Sequence, residues 1–104
     1  MRREHIVNQM REILHKAVPT AKAILYGSEA RGDAGEDSDI DLLVLLDGDV
    51  LTLKDQEAVA GPLYDLELRT GVTISPTITL KKLWYNRPFK TPFYVNVMNE
   101  GIEL

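Results

Sequence analysis

The spacing of hydrophobic and polar positions divides the first half of the chain into one helix and two strands. Apolar residues recur every three or four positions over residues 3–17, which predicts an amphipathic helix that Pro19 ends. Residues 21–26 and 39–46 are short apolar runs between polar segments, and each predicts a strand. Residues 28–31 predict a helical turn between them. The apolar positions of the first helix are Ile6, Met10, Ile13, Leu14 and Ala17.

The second half begins with a helix signal and a possible break. Thr52, with Asp55 three residues later, predicts a capping box at the start of a helix that runs towards Arg69. Gly61-Pro62 interrupts its apolar face, so we expect a kink or two short helices. Gly71 is a plausible residue for the C-terminal cap.

The last third predicts one more strand and one more helix. Residues 72–80 alternate between apolar and polar side chains, which predicts a strand, and Pro76 favours an edge position in the sheet or a bulge. Thr91-Pro92 is typical of a helix start, and that helix should run to Asn99. The elements together predict a small mixed α/β domain over residues 1–104, with a sheet of about three or four strands flanked by helices.

Composition limits the classes of function. The chain has 104 residues, 44% hydrophobic and 27% charged, and a net charge of −4, which opposes direct binding to a nucleic-acid backbone. It has no cysteine, which excludes disulfides and thiolate chemistry. No apolar run is long enough for a membrane span, so we expect a cytoplasmic protein that does not bind membranes.

The candidate chemistry lies around the second strand. Ten residues separate Gly27-Ser28 from Asp39-Ile40-Asp41. Along a strand, Asp39 and Asp41 face the same side, where their carboxylates repel each other unless a cation lies between them. Such oxygen ligands suit Mg²⁺, which commonly takes one or two carboxylates together with substrate phosphates. Gly27 permits a close backbone approach, and Ser28 offers a hydroxyl and an amide.

At these residues the chain resembles the nucleotidyltransferase superfamily of DNA polymerase β, and its shortness resembles the minimal nucleotidyltransferases. The resemblance is closest over residues 21–46. It implies that Gly27 and Ser28 bind the phosphates of a nucleoside triphosphate, with ATP as the expected donor. It also implies that Asp39 and Asp41 are the catalytic carboxylates that hold Mg²⁺, and that AMP is transferred to a hydroxyl group.

The resemblance also implies a partner. Such small transferases are expected to act as antitoxins that modify a separately encoded helical protein of the HEPN type, and self-association is an additional possibility. The contrasting hypothesis is a catalytically weak or inactive nucleotide-binding adaptor that neutralises the same partner by contact. A small-molecule transferase is disfavoured, because the chain has no room for a second, acceptor-binding domain.

Two features leave alternatives open. Arg31 either neutralises a phosphate or pairs with an acid of the following loop, for which Asp33, Asp37 and Asp39 are candidates. The aromatic residues of the C-terminal third are expected in the core, with a base-stacking wall or partner surface as the second interpretation. These aromatic residues are Trp84, Tyr85, Phe89, Phe93 and Tyr94.

One departure from the resembled family concerns a third carboxylate, which is expected on a later strand. The polar candidates there are Thr73 and Ser75, and neither is charged. Three explanations are open: Asp65 or Glu67 reaches in from the preceding helix, the partner supplies the group, or the protein binds nucleotide and transfers it poorly.

Overall fold

A computed structural model describes residues 3–104 of the chain. Five helices and four strands are described within this range. In chain order they are α1 (Glu4–Ala17), β1 (Lys22–Tyr26), α2 (Gly27–Arg31), β2 (Ile40–Leu46), α3 (Leu53–Thr70), β3 (Ile74–Leu80), α4 (Lys81–Tyr85), α5 (Pro92–Glu100) and β4 (Ile102–Glu103).

The strands form one mixed sheet in the order β3-β2-β1-β4. β1 pairs antiparallel with β2 and with β4, whereas β2 and β3 are parallel and joined through α3. The end of β1 therefore lies beside the starts of β2 and β3, and these three strand ends together form the edge of the sheet that is described below. The predicted mixed α/β class and strand number are confirmed. β3, which contains Pro76, is an outer strand of the sheet, which is one of the two alternatives predicted for that proline.

Helices cover both faces of the sheet. α1 and α3 pack their apolar stripes on one face, against the side chains of Leu25, Leu42 and Val44. The opposite face is covered by Trp84 of α4 and Val97 of α5. Because β2 is covered on both faces, its residues from Leu42 onward are apolar without alternation.

The helix ends match the local signals in the sequence. Thr52 and Asp55 form the predicted capping box, with both reciprocal hydrogen bonds present. Gly71 caps α3 in the left-handed conformation, at φ +73°. Thr91 accepts a hydrogen bond from the Tyr94 amide at the start of α5.

Three expectations about these elements need correction. The strands predicted from residues 39 and 72 begin one and two positions later, at Ile40 and Ile74. Of the two alternatives for Gly61-Pro62, a kink or two short helices, the second is wrong, because a single helix of 18 residues contains Pro62. Buried Val59 and Leu63 on either side anchor it, and this packing outweighs the roughly 3 kcal/mol that proline costs a helix interior.

The sequence interpretation also missed two short elements. α4 has five residues without a side-chain cap, and β4 has only two residues. Neither is long enough to produce a detectable periodicity, and packing against the sheet accounts for both. Among residues 3–104, no helix has the length and apolar character needed to cross a membrane.

Candidate active site

The predicted site residues meet at the edge where β1 ends and β2 and β3 begin. Asp41 pairs with Tyr26 of β1 on one side and with Ser75 of β3 on the other. Gly27 follows Tyr26 directly and starts α2. Asp39 lies one residue before β2 and is exposed. The topology thus brings together two segments that the sequence separates by ten residues.

Gly27 is the point of closest approach between these segments. Its φ of +76° is in the region that only glycine adopts without strain. A Cβ atom at this position would also collide with the carboxylate of Asp41. Both constraints require glycine here, and together they place the backbone of the turn directly beside an acidic group.

The two aspartates form an electrostatically unfavourable pair. Burial, followed by the negative charge of Asp39, raises the pKa of Asp41, and the positive charge of Arg31 opposes this rise. The hydroxyl of Ser75 donates a hydrogen bond to Oδ2 of Asp39 over 3.2 Å. That hydrogen bond orients one carboxylate without neutralising either charge.

Arg31 lies between two acidic partners. Its Nε is 3.3 Å from Asp33 Oδ2, and its Nη1 is 3.1 Å from Oε1 of Glu100 in α5. Hydrogen bonding to Asp33 is the first cause that raises the pKa of Arg31. The predicted pairing with Asp33 is confirmed, whereas the pairing with Glu100 was not foreseen. Because both pairs are exposed to solvent, phosphate binding by Arg31 stays a prediction that is compatible with them.

Ser75 lies beside both aspartates, on the strand where the resemblance implies a third carboxylate. Thr73 is exposed and precedes β3, whereas Ser75 lies within β3 and is hydrogen-bonded to Asp39. Glu67 does not reach in, because its Oε1 accepts the amide of Ile74 at 2.9 Å, and Asp65 is exposed on α3. Within residues 3–104, no group of three or more acidic, histidine or cysteine side chains is placed to hold a metal ion.

The donor set is nevertheless compatible with Mg²⁺ held jointly with nucleotide. Asp39 and Asp41 supply oxygen ligands of the kind that Mg²⁺ prefers, and substrate phosphates commonly complete its coordination. Burial and the charge of Asp39 raise the pKa of Asp41, so a cation bound beside the two carboxylates would favour their charged forms. Because Gly27 has no side chain, its backbone lies directly beside the Asp41 carboxylate.

Aromatic side chains extend from this edge along the face covered by α4 and α5. The rings of Tyr26 and Phe93 meet edge to face at 5.4 Å, and Phe93 meets Trp84 at 5.8 Å. Trp84 is buried, as expected for a core residue, but Phe89 and Tyr85 are exposed. The expected core role therefore holds for Trp84 and leaves part of the aromatic set on the surface.

A cavity of about 390 Å³ lies at the opposite end of the sheet. Its walls include Lys22, Lys81 and Glu103. Lys22 pairs with Glu103 at 3.3 Å, and Lys81 pairs with Asp47 at 3.0 Å. Because these charges are satisfied within the chain, we assign the candidate chemistry to the Asp39–Asp41 edge.

Sequence interpretation missed two residues that support this edge, Glu29 and Glu100. Glu29 is fully buried in α2 and pairs with Arg3. No periodic signal could find it, because α2 is only five residues long. Glu100 meets Arg31 across 69 positions of sequence, so only the fold brings them together.

Comparison with known proteins identifies the family. The model of the nucleotidyltransferase domain family matches residues 7–98. The chain belongs to this family. It is therefore a nucleotidyltransferase by descent, as the Gly-Ser and Asp-x-Asp spacing predicted. The individual roles of Gly27, Ser28, Arg31, Asp39 and Asp41 stay predictions.

Two relatives of this nucleotidyltransferase come from Methanocaldococcus jannaschii. The protein named "Putative protein adenylyltransferase MJ0141" is 36% identical over 83 residues, which cover 80% of this chain and 77% of that protein. A second protein, MJ0604, carries the same description and is 40% identical over 80 residues, covering 77% of this chain and 73% of its own length. These relatives place the chain with the minimal nucleotidyltransferases.

Two solved structures share the fold. One is a toxin–antitoxin crystal structure with AMP-PNP, with a TM-score of 0.63 and 22% identity. The other is the toxin–antitoxin MntA-HpeT in a mutant form, with a TM-score of 0.63 and 20% identity. Each match covers 92% of this chain and 69% of the other chain. At these identities the likeness establishes the architecture of the nucleotidyltransferase.

The Gly27→Ala variant tests the close approach. The free energy of unfolding of this variant should fall by about 1–2 kcal/mol because alanine is strained at a positive φ. Overlap of the added Cβ with Asp41 should lower it by about 1–3 kcal/mol more. Gly71→Ala is the matched control, because Gly71 has φ +73° and nothing within 4 Å of the added Cβ. Urea denaturation measures both free energies of unfolding. Equal losses in the two variants would contradict the contact with Asp41.

The Asp41→Asn variant tests the repulsion between the aspartates. A carboxyl group whose pKa is raised on folding stabilises the fold below its ordinary pKa of 3.8 and loses that contribution as the pH rises through the folded pKa. Relative to wild type, Asp41→Asn should therefore become more stable as the pH rises towards neutrality. The expected gain is on the order of 0.5 kcal/mol, since the group is partly exposed.

Asp47→Asn serves as the control of opposite sign. Hydrogen bonding to Lys81 lowers the pKa of Asp47, so its charged form stabilises the fold at neutral pH. This variant should lose stability relative to wild type over the same rise in pH. Denaturation curves at several pH values compare the two variants directly. A pH-independent difference for Asp41→Asn would show that its carboxylate is not destabilised by its surroundings.

Proposed function

We propose that this nucleotidyltransferase transfers AMP from ATP, with Mg²⁺, to a hydroxyl group on a separately encoded helical protein of the HEPN type. The observation that carries the proposal is the approach of the Gly27 backbone to Asp41, beside Asp39. It combines an open backbone turn for phosphate with two carboxylates for a divalent cation. Family membership supports nucleotidyl transfer as the reaction.

The relatives support protein as the acceptor and ATP as the donor. Both curated relatives are named as protein adenylyltransferases. One of the structures with this fold contains AMP-PNP, and both are toxin–antitoxin proteins. A net charge of −4 suits a basic protein partner better than an RNA, because like charges repel.

The chain's own residues divide the work of binding. Gly27 and Ser28 present backbone and hydroxyl groups to the phosphates, while Asp39 and Asp41 hold Mg²⁺. When bound, Mg²⁺ supplies positive charge that neutralises the phosphate oxygens and the two carboxylates. Ser75 keeps Asp39 oriented through its hydrogen bond of 3.2 Å. Arg31 exchanges one of its exposed acidic partners for a phosphate oxygen.

The transfer itself is a displacement at the α-phosphorus. The acceptor oxygen forms a bond to that phosphorus, the bond to the bridging oxygen of the β-phosphate breaks, and pyrophosphate leaves. The hydroxyl proton must pass to a base. Because uncharged Ser75 lies where a third carboxylate is expected, the partner or solvent takes this proton. Positioning and charge neutralisation remain as the main contributions of the chain.

A second candidate function is a nucleotide-binding adaptor that neutralises its partner by contact. The position of Ser75 favours it, because a hydroxyl can neither replace a carboxylate ligand nor act as an efficient base near neutral pH. Exposed Phe89 and Tyr85 provide apolar surface for such a contact. Both candidates require nucleotide and partner binding, and only label transfer separates them.

Labelled ATP tests the proposal. With Mg²⁺ and the HEPN-type protein from the neighbouring gene, the label should appear on that partner. The Asp39→Asn/Asp41→Asn double variant should lose both transfer and metal-dependent ATP binding, measured by calorimetry. Its control is Glu12→Gln/Glu57→Gln, which removes two exposed acids elsewhere and should retain both properties.

Each other outcome has a definite meaning. A tight complex without transfer supports the adaptor function. Unchanged Mg²⁺–ATP binding in the double aspartate variant contradicts the metal assignment. Adenylylation of a small hydroxylated metabolite, with no complex, contradicts the protein acceptor.

The Ser75→Asp variant tests whether Ser75 lies where a third metal-binding carboxylate is expected. Ser75 is already within hydrogen-bond distance of Asp39, so a carboxylate here should add a metal ligand. Metal affinity and transfer rate should each rise by roughly tenfold or more, and the apo protein should lose stability from the added repulsion. Thr77→Asp, two residues further along the same face of β3, is the control. Equal metal affinity in the two variants would exclude β3 from the site.

A further inference from the structure

A buried carboxylate lies directly behind the phosphate-binding turn. Glu29 follows Ser28 in α2, and its side chain has 0% exposure. It is the one charged side chain classed as buried within residues 3–104. A carboxylate is rarely removed from water unless it is paired and hydrogen-bonded. The proposed chemistry does not use Glu29 as a ligand, so its burial needs a separate explanation.

Arg3, the first described residue of the chain, is a partner of Glu29. Arg3 donates its backbone amide to Glu29 Oε2 at 2.9 Å and its side-chain Nε to Oε1 at 2.7 Å. The carbonyl of Arg3 also accepts the amides of Ile6 and Val7, which builds Arg3 into the first turn of α1. One residue therefore joins the start of α1 to α2 through two hydrogen bonds on two different oxygens.

α2 depends on such attachments for its orientation. A helix of five residues is too short to hold its own conformation, and Tyr26 provides no side-chain cap. Two ion pairs fix it: Glu29 with Arg3, and Arg31 with Glu100. The second pair is exposed, and Arg31 gives up one of its acidic partners when it meets a phosphate. The buried pair between Glu29 and Arg3 is the attachment that this exchange leaves unchanged.

We propose that Glu29 is a positioning residue for nucleotide binding. By holding α2 against the start of α1, it keeps the Gly27 backbone and the Ser28 hydroxyl at a fixed distance from Asp41. Buried ion pairs are seldom the most stabilising choice for a core, but two hydrogen bonds fix direction where apolar packing would not. The inference rests on the proposed function for its consequence on affinity, and on the fold alone for its effect on the turn.

Glu29→Gln is the first test, because it keeps the size of the side chain and removes its charge. Two amides report on the turn: Gly32 donates to the Glu29 carbonyl and Asp33 donates to the Ser28 carbonyl. Their hydrogen exchange should become roughly tenfold faster or more, because local opening follows the loss of a fixed attachment. The Gly71 amide at the end of α3 should not share this additional increase.

Mg²⁺–ATP binding to the same variant gives the second readout. The dissociation constant should rise by roughly tenfold to a hundredfold, the scale expected from a misplacement of about 1 Å. Leu14→Ala is the stability control, because Leu14 is buried in α1 away from the turn. At a temperature where both variants are folded, Leu14→Ala should bind Mg²⁺–ATP within about twofold of wild type, as expected for loss of packing alone.

A double-mutant cycle measures whether Arg3 and Glu29 are energetically coupled in nucleotide binding. Arg3→Gln should raise the dissociation constant for Mg²⁺–ATP to a similar extent. The dissociation constant of Arg3→Gln/Glu29→Gln should not exceed the larger of the two single-variant values. Multiplied effects in the double variant would overturn the pair as the positioning device. Wild-type exchange at Gly32 and Asp33 in Glu29→Gln would overturn the inference outright.

The same experiment separates this inference from the proposed function. If wild type binds Mg²⁺–ATP and Glu29→Gln binds it equally well, the inference fails and the proposed function stands. If wild type does not bind Mg²⁺–ATP, the proposed function fails. In that case faster exchange confined to Gly32 and Asp33 still establishes that Glu29 holds the turn, and unchanged exchange overturns it.

Discussion

The close approach of Gly27 to Asp41 is the constraint around which this nucleotidyltransferase is arranged. A backbone turn with φ +76° lies so close to the Asp41 carboxylate that an added Cβ would displace that carboxylate. Antiparallel pairing of β1 with β2 creates this approach, because it sets Tyr26 opposite Asp41. Parallel pairing of β2 with β3 then adds Ser75 on the other side. The glycine turn and the two carboxylates proposed to bind phosphate and cation thus share one sheet edge.

This edge is not arranged for the stability of the apo protein. Burial and repulsion from Asp39 raise the pKa of Asp41, which means that its charge is destabilising where it stands. Glu29 is another charge removed from water, and Arg3 must remain beside it. The large apolar clusters on both faces of the sheet offset these costs. Costly charges concentrated at one edge are typical of a functional site.

The strand position held by Ser75 bears on the proposed need for a partner. With Ser75 in place of a carboxylate, the chain has charge for binding but no evident base for the acceptor hydroxyl. A partner that brings both the hydroxyl and its base would complete the reaction only when the two proteins meet. Exposed aromatic residues such as Phe89 and Tyr85 offer a surface for that meeting. Under the proposed function, dependence on a partner would follow from the chemistry of a single strand position.

Local chemistry in the sequence was sufficient for most of the elements and for the identity of the candidate site. The Thr52 capping box, the left-handed glycine at Gly71 and the Gly-Ser spacing each act over a few residues, so they can be recognised without the fold. Only the tertiary structure decided that α3 continues through Pro62, because packing outweighs local preference. Likewise, only the fold could bring Arg3 to Glu29 across 26 positions, since burial of a charge depends on its three-dimensional surroundings.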